Sequence, residues 1–190
     1  MGRGAGSGGR GKHRTFKRAG ATRAQVVFDP TDIFATLNTA QVKYLVVGGI
    51  AVVLYGIRRT TGDVDLCVHL TTENLERLAK ALKRIGFVPR VPAPIAGLAD
   101  AKTRRLWTTQ KEMKVYSFIE PYGTPPRNVD IMVNAAKNFG ALYRERKTVT
   151  LRGVSVPLMP VNELARRKRR AGRPQDLQDV EDLRLLGRIP

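Results

Sequence analysis

The sequence contains very little cysteine, since Cys67 is the only one in 190 residues. A single thiol excludes an intrachain disulfide and any metal site built from several cysteines. The two histidines, His13 and His69, are too few and too far apart in sequence to form a metal site of their own. The composition fits a reducing compartment, and we expect a cytoplasmic protein.

Long hydrophobic runs are also missing. The longest apolar stretch, residues 44–55, is shorter than the roughly 20 residues that a membrane-spanning helix needs. It also lies too deep in the chain for a cleaved secretory signal. We therefore expect no membrane partner.

Acidic residues are scarce relative to basic ones. Lys and Arg number 34 against 16 Asp and Glu, which gives a formal net charge of +18. A field of this strength attracts polyanions by steering and counterion release, so the expected partner is a nucleic acid or a highly charged nucleotide. The excess is concentrated in residues 1–23, which contain no acidic residue, and in residues 165–173.

Residues 1–24 combine glycine and arginine with almost no large apolar side chains. Such a segment buries too little surface to offset the entropy lost on ordering, so we expect a disordered basic arm. Two roles remain open for this arm: a nonspecific tether for RNA, which its charge favours, and a solubilising tail.

Strand-like and helix-like segments alternate in the rest of the chain. They predict an α/β core over residues 25–158, with a mixed β-sheet flanked by helices, and a small C-terminal helical portion over residues 159–190. Strands are predicted at 43–47, 64–68, 114–119, 128–133, 148–151 and 154–158, and the last two helices at 161–170 and 174–186.

Three aspartates interrupt the predicted strands. Asp63 and Asp65 are two positions apart, so both point to one face of a strand while the apolar residues between and after them point to the other. Asp130 lies within an apolar strand, where a carboxylate is costly unless it is paired or bound to a metal. Solvated residues at a strand edge are the alternative interpretation for Asp63 and Asp65.

If the two strands are neighbours, the three carboxylates converge. Each pair about 5 Å apart would repel by roughly 3 kcal/mol at an effective dielectric constant of 20, and a divalent cation removes that cost. Hard oxygen ligands suit Mg²⁺, with Mn²⁺ as a second choice, bound through carboxylates and substrate phosphates. The pattern predicts phosphoryl or nucleotidyl transfer, with Asp63, Asp65 and Asp130 as metal ligands and catalytic residues.

A glycine pair precedes the aspartates. Gly48-Gly49 joins a predicted strand to a short apolar helix, where backbone amides and the helix dipole can face a triphosphate. Arg59 and Lys168 can add positive charge there. Structural alternatives remain open: the glycines as a simple turn, Arg59 as a surface charge, and Lys168 as a cation in the last turn of a helix.

The order of these residues resembles the DNA polymerase beta-like nucleotidyltransferase superfamily. The resemblance covers roughly residues 42–186, and the segment 168–177, KRRAGRPQDL, is similar to the AbiEii-like group, which includes toxins of type IV toxin–antitoxin systems. It rests on Gly48-Gly49, Tyr55-Gly56, Arg59, Thr61, Asp63, Asp65 and the later Asp130.

The resemblance implies a nucleotidyltransferase fold and a magnesium-dependent enzyme that moves a nucleoside monophosphate from a nucleoside triphosphate to RNA, with a transfer RNA 3′ end favoured. It also implies an antitoxin protein as a partner. Asp63, Asp65 and Asp130 would bind the metal. The nucleotide would contact Gly48, Gly49, Arg59, Thr61 and Lys168, the last of which would also take part in catalysis. The chain departs from the family in having Gly49 where many members carry serine, which removes one hydroxyl contact to the phosphates.

Two other functions remain open. The nucleotide can be transferred to a protein hydroxyl instead of RNA, because the acidic site prepares the donor and says little about the acceptor. The chain can also be a catalytically silent module that binds RNA or a protein partner. The charge favours RNA, and three mutually repelling carboxylates argue against a silent site.

Overall fold

The computed structural model describes residues 1–2, 28–134 and 138–190. The predicted basic arm therefore lies outside the described residues, apart from Met1 and Gly2. Within the described part, seven strands form one sheet, and helices lie between several of them along the chain. This confirms the predicted α/β class with a mixed sheet.

None of the helices in the described ranges is long and apolar enough to cross a bilayer.

The helices and strands follow one another with short connections. In chain order these elements are α1 (Thr31–Thr39), β1 (Tyr44–Val46), α2 (Gly48–Leu54), β2 (Asp63–Val68), α3 (Thr72–Arg84), β3 (Val88–Pro89), a 3-10 helix (Ile95–Leu98), α4 (Ala101–Gln110), β4 (Val115–Glu120), β5 (Arg127–Met132), α5 (Phe139–Arg144), β6 (Lys147–Leu151), β7 (Val154–Leu158), α6 (Val161–Ala171) and α7 (Pro174–Leu185).

The sheet has the strand order β3-β4-β5-β2-β1-β7-β6. Strands β2 and β5 pair in parallel, as do β1 and β7, and the other neighbours are antiparallel. The two strands that carry the aspartates are therefore neighbours, as the sequence interpretation required. They lie near the middle of the sheet, where both strands are hydrogen-bonded on both sides.

One face of the sheet is closed by an apolar layer. Val64 and Leu66 of β2 are fully buried, and α1 and α3 pack against each other with their apolar stripes inward. The helix α3 is amphipathic, as the spacing of its apolar residues predicts. It begins after Thr71, whose hydroxyl accepts a hydrogen bond from the amide of Asn74. This alternation directs the side chains of Asp63 and Asp65 away from that layer.

Three elements of the structure were not predicted from the sequence. β3 has only two residues, Val88 and Pro89, the 3-10 helix spans the four residues Ile95–Leu98, and α5 spans the six residues Phe139–Arg144. All three are too short to produce a hydrophobic period, which needs a window of about 11 residues or more. The six predicted strands, α2 and the last two helices lie within a few residues of their predicted positions.

The C-terminal portion is a helix pair that folds back on itself. Gly172, with φ of 67°, ends α6 in the left-handed conformation, and Pro174 is the first residue of α7. The helices α6 and α7 pack together, which brings Lys168 of α6 beside Asp176 of α7. The pair thereby places charged side chains close to the face of the sheet that carries the aspartates.

Candidate active site

The parallel pairing of β2 and β5 determines where the aspartates lie. Asp65 is in register with Asp130, and Asp63 is in register with Asn128. Because neighbouring strands are about 4.8 Å apart and residues in register point to the same face, the structure brings the Asp65 and Asp130 carboxylates side by side. Asp63 is exposed at the start of β2, where its Oδ1 accepts a hydrogen bond from Asn128 Nδ2 at 3.1 Å.

Asp65 is in the most strained electrostatic position of the three. Burial, together with the negative charges of Asp130 and Asp63, raises the pKa of its carboxyl group to about 6. The positive charge of Lys168 and a hydrogen bond from the backbone amide of Gly49 act in the opposite direction. The ionised form of Asp65 is thus disfavoured until another positive charge joins the site.

The donor atoms around Asp65 and Asp130 fit a hard divalent cation. Across the described ranges, no three histidine, cysteine, aspartate or glutamate side chains are close enough together to hold a metal ion. Magnesium, however, binds through one or two carboxylates plus substrate phosphates, and the pair Asp65–Asp130 supplies that number. In addition, the buried Oδ1 of Asn128 accepts no hydrogen bond from any described residue. The full ligand set of Asp63, Asp65 and Asp130 stays a prediction.

Position 48 accommodates only glycine, because the carboxylate of Asp65 leaves no room for a side chain there. Its φ is 63°, a conformation that favours glycine, and a Cβ at this position would stand 1.9 Å from Oδ2 of Asp65. The turn between β1 and α2 is therefore pressed directly against Asp65. Since the amide of Gly49 already donates to that carboxylate, the turn holds Asp65 in place before any nucleotide binds.

The close packing around Gly49 explains why this chain has glycine where many members of the family that it resembles carry serine. A Cβ on Gly49 would lie 2.4 Å from Oγ1 of Thr61, 2.9 Å from its Cβ and 3.1 Å from Nη2 of Arg59. The threonine hydroxyl thus occupies the space where a serine side chain would extend. In this chain the hydroxyl at the turn comes from Thr61, and a glycine at position 49 makes room for it.

We expect Gly49→Ser to destabilise the protein by about 1–3 kcal/mol, because the new side chain overlaps Thr61. Thr61→Gly alone should have a smaller effect, and the double variant should recover most of the loss, because the serine then fills the vacated space. Thermal unfolding of the four proteins measures this coupling as a double-mutant cycle. Additive losses in the cycle would show that Thr61 does not exclude a side chain at position 49.

Arg59 and Lys168, both predicted to contact the nucleotide, meet at one buried carboxylate. Nη1 of Arg59 lies 2.6 Å from Oδ2 of Asp179, and Nζ of Lys168 lies 2.7 Å from the same oxygen. Lys168 also contacts Oδ1 of Asp176 at 2.8 Å. The Asp179 side chain is fully buried and Lys168 is nearly so, whereas Arg59 is 23% exposed.

This ion-pair network balances two cations against two anions. It joins the loop after α2 to α6 and α7, so it fixes the C-terminal helices beside the aspartates. Lys168 does lie in the last turn of α6, as its structural alternative requires, and its ammonium group is bound by Asp176 and Asp179. Its influence on the pKa of Asp65 nevertheless shows that its charge is felt at the site. Contact of Arg59 and Lys168 with a nucleotide stays a prediction.

The sequence interpretation missed two residues at the site. Asn128 lies two positions before Asp130 on the same face of β5, and the period of a strand would have found it. Asp179 anchors both cations, but its partner Arg59 is 120 residues away in sequence. No local pattern in α7 indicates that contact, because an aspartate in the early part of a helix has an ordinary explanation in the helix dipole.

The fold and the site together define the class of the protein: an α/β chain with a mixed sheet and a pair of aspartates on adjacent parallel strands, held against a glycine turn. No protein-family model matches the sequence, and no curated protein matches it either. Among solved structures, the chain is similar to an antigenic nucleotidyltransferase-like protein from Paracoccidioides brasiliensis. The two are 20% identical with a TM-score of 0.49, over 82% of this chain and 74% of the other. A likeness at this level assigns no function.

Proposed function

We propose that the protein is a magnesium-dependent nucleotidyltransferase that moves a nucleoside monophosphate from a nucleoside triphosphate to RNA. The observation that supports this most is the register of Asp65 with Asp130 on parallel strands. This pairing concentrates negative charge at a point where it raises the pKa of Asp65. Such an arrangement destabilises the empty protein and becomes favourable when a cation and a triphosphate are bound.

The reaction in this proposal is an in-line displacement. The oxygen of an acceptor hydroxyl forms a bond to the α-phosphorus, the bond from that phosphorus to the bridging oxygen breaks, and pyrophosphate leaves. The carboxylate of Asp130 accepts the hydroxyl proton. Asp65 and Asp130, with Asp63 as the third ligand of this proposal, would hold a magnesium ion, which would supply positive charge to offset the charge on the reacting phosphates.

The other residues of the site orient the reacting groups and do not themselves form or break bonds. Gly48 lets the backbone and the Asp65 carboxylate approach closely, which keeps that carboxylate oriented. Thr61 presents a hydroxyl beside the turn, where it can donate to a phosphate oxygen. Arg59 and Lys168, whose charges are balanced by Asp176 and Asp179 in the ion-pair network, would contact the donor triphosphate directly.

The acceptor proposed here is RNA, and within RNA a transfer RNA 3′ end. The net charge of +18 supports a polyanionic acceptor over a protein hydroxyl. The resemblance of residues 168–177 to the AbiEii-like group adds the proposal that the enzyme is a toxin with an antitoxin partner. If so, its expression should arrest growth, and an inactive variant should not.

The test is to incubate the full chain with magnesium, each α-labelled triphosphate in turn, and total cellular RNA together with total protein. Separation of the products shows which class of molecule carries label. Label in small RNA supports the proposal. Label in protein would identify a protein-modifying enzyme instead, and no label with any triphosphate would indicate a silent binding module.

A further inference from the structure

A large groove lies beside the aspartates and is lined by none of the predicted site residues. Its volume is about 1080 Å³, which exceeds the usual range for a site that holds one small molecule. Parts of α4, α5 and α6 form its walls, together with the ends of β2 and β5. Six basic side chains line it: Arg104, Lys114, Arg166, Arg167, Arg170 and Arg173.

Most of this positive charge is uncompensated. One acidic residue, Glu163, also lines the groove, and it is bound by Arg166 and Arg167 at 2.7 Å each. Within the described ranges, no acidic side chain forms an ion pair with Lys114, Arg170 or Arg173, and all three are exposed. The groove thus presents at least three cations free to meet an anionic ligand.

An aromatic pair forms part of the same wall. The rings of His69 and Phe139 are stacked with their centroids 5.3 Å apart, and both residues line the groove. His69 is half-buried, while Phe139 lies behind it and is itself stacked on Tyr143. Positive charge along a groove combined with a supported aromatic ring is the arrangement by which proteins bind single-stranded nucleic acid.

The groove leads to the aspartates along one face of the sheet. Met132 lines the groove and lies two positions after Asp130 on the same face of β5, which corresponds to about 7 Å along the strand. On α6, Arg167 reaches the sulfur of Met132, while its neighbour Lys168 lies on the side of the ion-pair network. A chain bound in the groove would therefore end close to the carboxylates.

We propose that this groove is the docking site for the single-stranded end of the acceptor RNA. Lys114, Arg170 and Arg173 bind its phosphates, and the ring of His69 stacks against a base. The assignment rests on the proposed function for the choice of RNA over DNA, while the groove itself is argued from charge, shape and rings. The donor triphosphate occupies the separate region of the glycine turn.

The test measures binding alone, with no triphosphate and with a chelator, so that no transfer takes place. The ligand is a fluorescent, unstructured RNA of about twelve nucleotides, followed by anisotropy at several salt concentrations. One full-length variant carries Lys114→Gln, Arg170→Gln and Arg173→Gln. Its matched control loses the same charge from exposed residues that do not line the groove: Lys83→Gln, Arg84→Gln and Arg90→Gln.

We expect the groove variant to bind RNA at least about tenfold more weakly than the control at 0.1 M salt. In the groove variant, the magnitude of the slope of log affinity against log salt should also be smaller than in the wild type by about 2. Three phosphate contacts are lost, and each contact to a single strand contributes about 0.7 to that slope. The basic arm is present in both variants, so its contribution cancels. A variant with Arg170→Lys and Arg173→Lys should retain binding and shows that the positions tolerate change.

Three results would overturn the proposal. Equal loss in the groove and control variants would mean that only the overall charge matters, and wild-type binding by the groove variant would exclude the groove. Tighter binding of DNA of the same sequence would overturn the assignment to RNA. The outcome is separable from the transfer reaction: RNA binding that depends on the groove, with no labelling of RNA, leaves this proposal standing and removes the proposed function.

Discussion

Replacing Asp65 by asparagine should lower the rate of nucleotidyl transfer by about a thousandfold or more, with little loss of stability. The substitution keeps the shape but removes the charge that would stabilise the reacting phosphates with a bound cation. Because burial and the charges of Asp130 and Asp63 raise the pKa of Asp65 to about 6, the ionised group is unfavourable in the empty folded protein. At neutral pH the neutral amide should therefore unfold at the same temperature or higher.

Asp182→Asn is the matched control for this prediction. Asp182 belongs to α7 and accepts a hydrogen bond from Gln178 at an exposed site, a bond that an asparagine carbonyl can keep. We expect this variant to retain full activity. Measured rates of acceptor labelling, together with thermal melting of both variants, check the prediction. An Asp65→Asn protein that is as active as the wild type would remove Asp65 from the active site.

The second large effect concerns stability rather than catalysis. Asp179→Asn should destabilise the fold by about 3–5 kcal/mol, because it removes the carboxylate that pairs with Arg59 and leaves the buried Lys168 with Asp176 alone. For a chain of this length such a loss lowers the melting temperature by roughly 10 °C. Differential scanning calorimetry of the purified variant measures it.

Asp176→Asn serves as the comparison, because Asp176 contacts the same lysine but does not contact Arg59. Its side chain is 16% exposed, so water can partly replace the lost partner, and we expect a clearly smaller shift. A melting temperature for Asp179→Asn within about 2 °C of the wild type would show that the network contributes little to stability. Equal shifts in the two variants would show that Asp179 has no special place in it.

The aspartates were found from the sequence because strands have a strict period. Two carboxylates two positions apart, and one in an otherwise apolar strand, are visible without any knowledge of the fold. The sequence does not predict whether the two strands pair. Asp65 and Asp130 are 65 positions apart, and no local signal sets the register between their strands. The parallel pairing in the structure supplies that missing condition.

The surroundings of the aspartates were much less predictable. Gly48 is pressed against Asp65, and Thr61 fills the space above Gly49. Both contacts depend on distances of a few ångströms between segments that are separate in sequence. The same holds for Arg59, which a local interpretation treats as a surface charge or a phosphate ligand, and which in fact pairs with Asp179. The groove likewise combines residues from five elements, and only its cations between residues 166 and 173 were visible as a charged run in the sequence.

The most direct test of nucleotidyl transfer compares two labels on the same triphosphate. The full-length protein is incubated with magnesium, RNA and a triphosphate labelled at either the α- or the γ-phosphate, and the RNA is then isolated. We predict that RNA gains label from the α-position only, with pyrophosphate released in equal amount, and that Asp65→Asn abolishes both. Label from the γ-position would mean phosphoryl transfer, and RNA without label from either position would contradict the account.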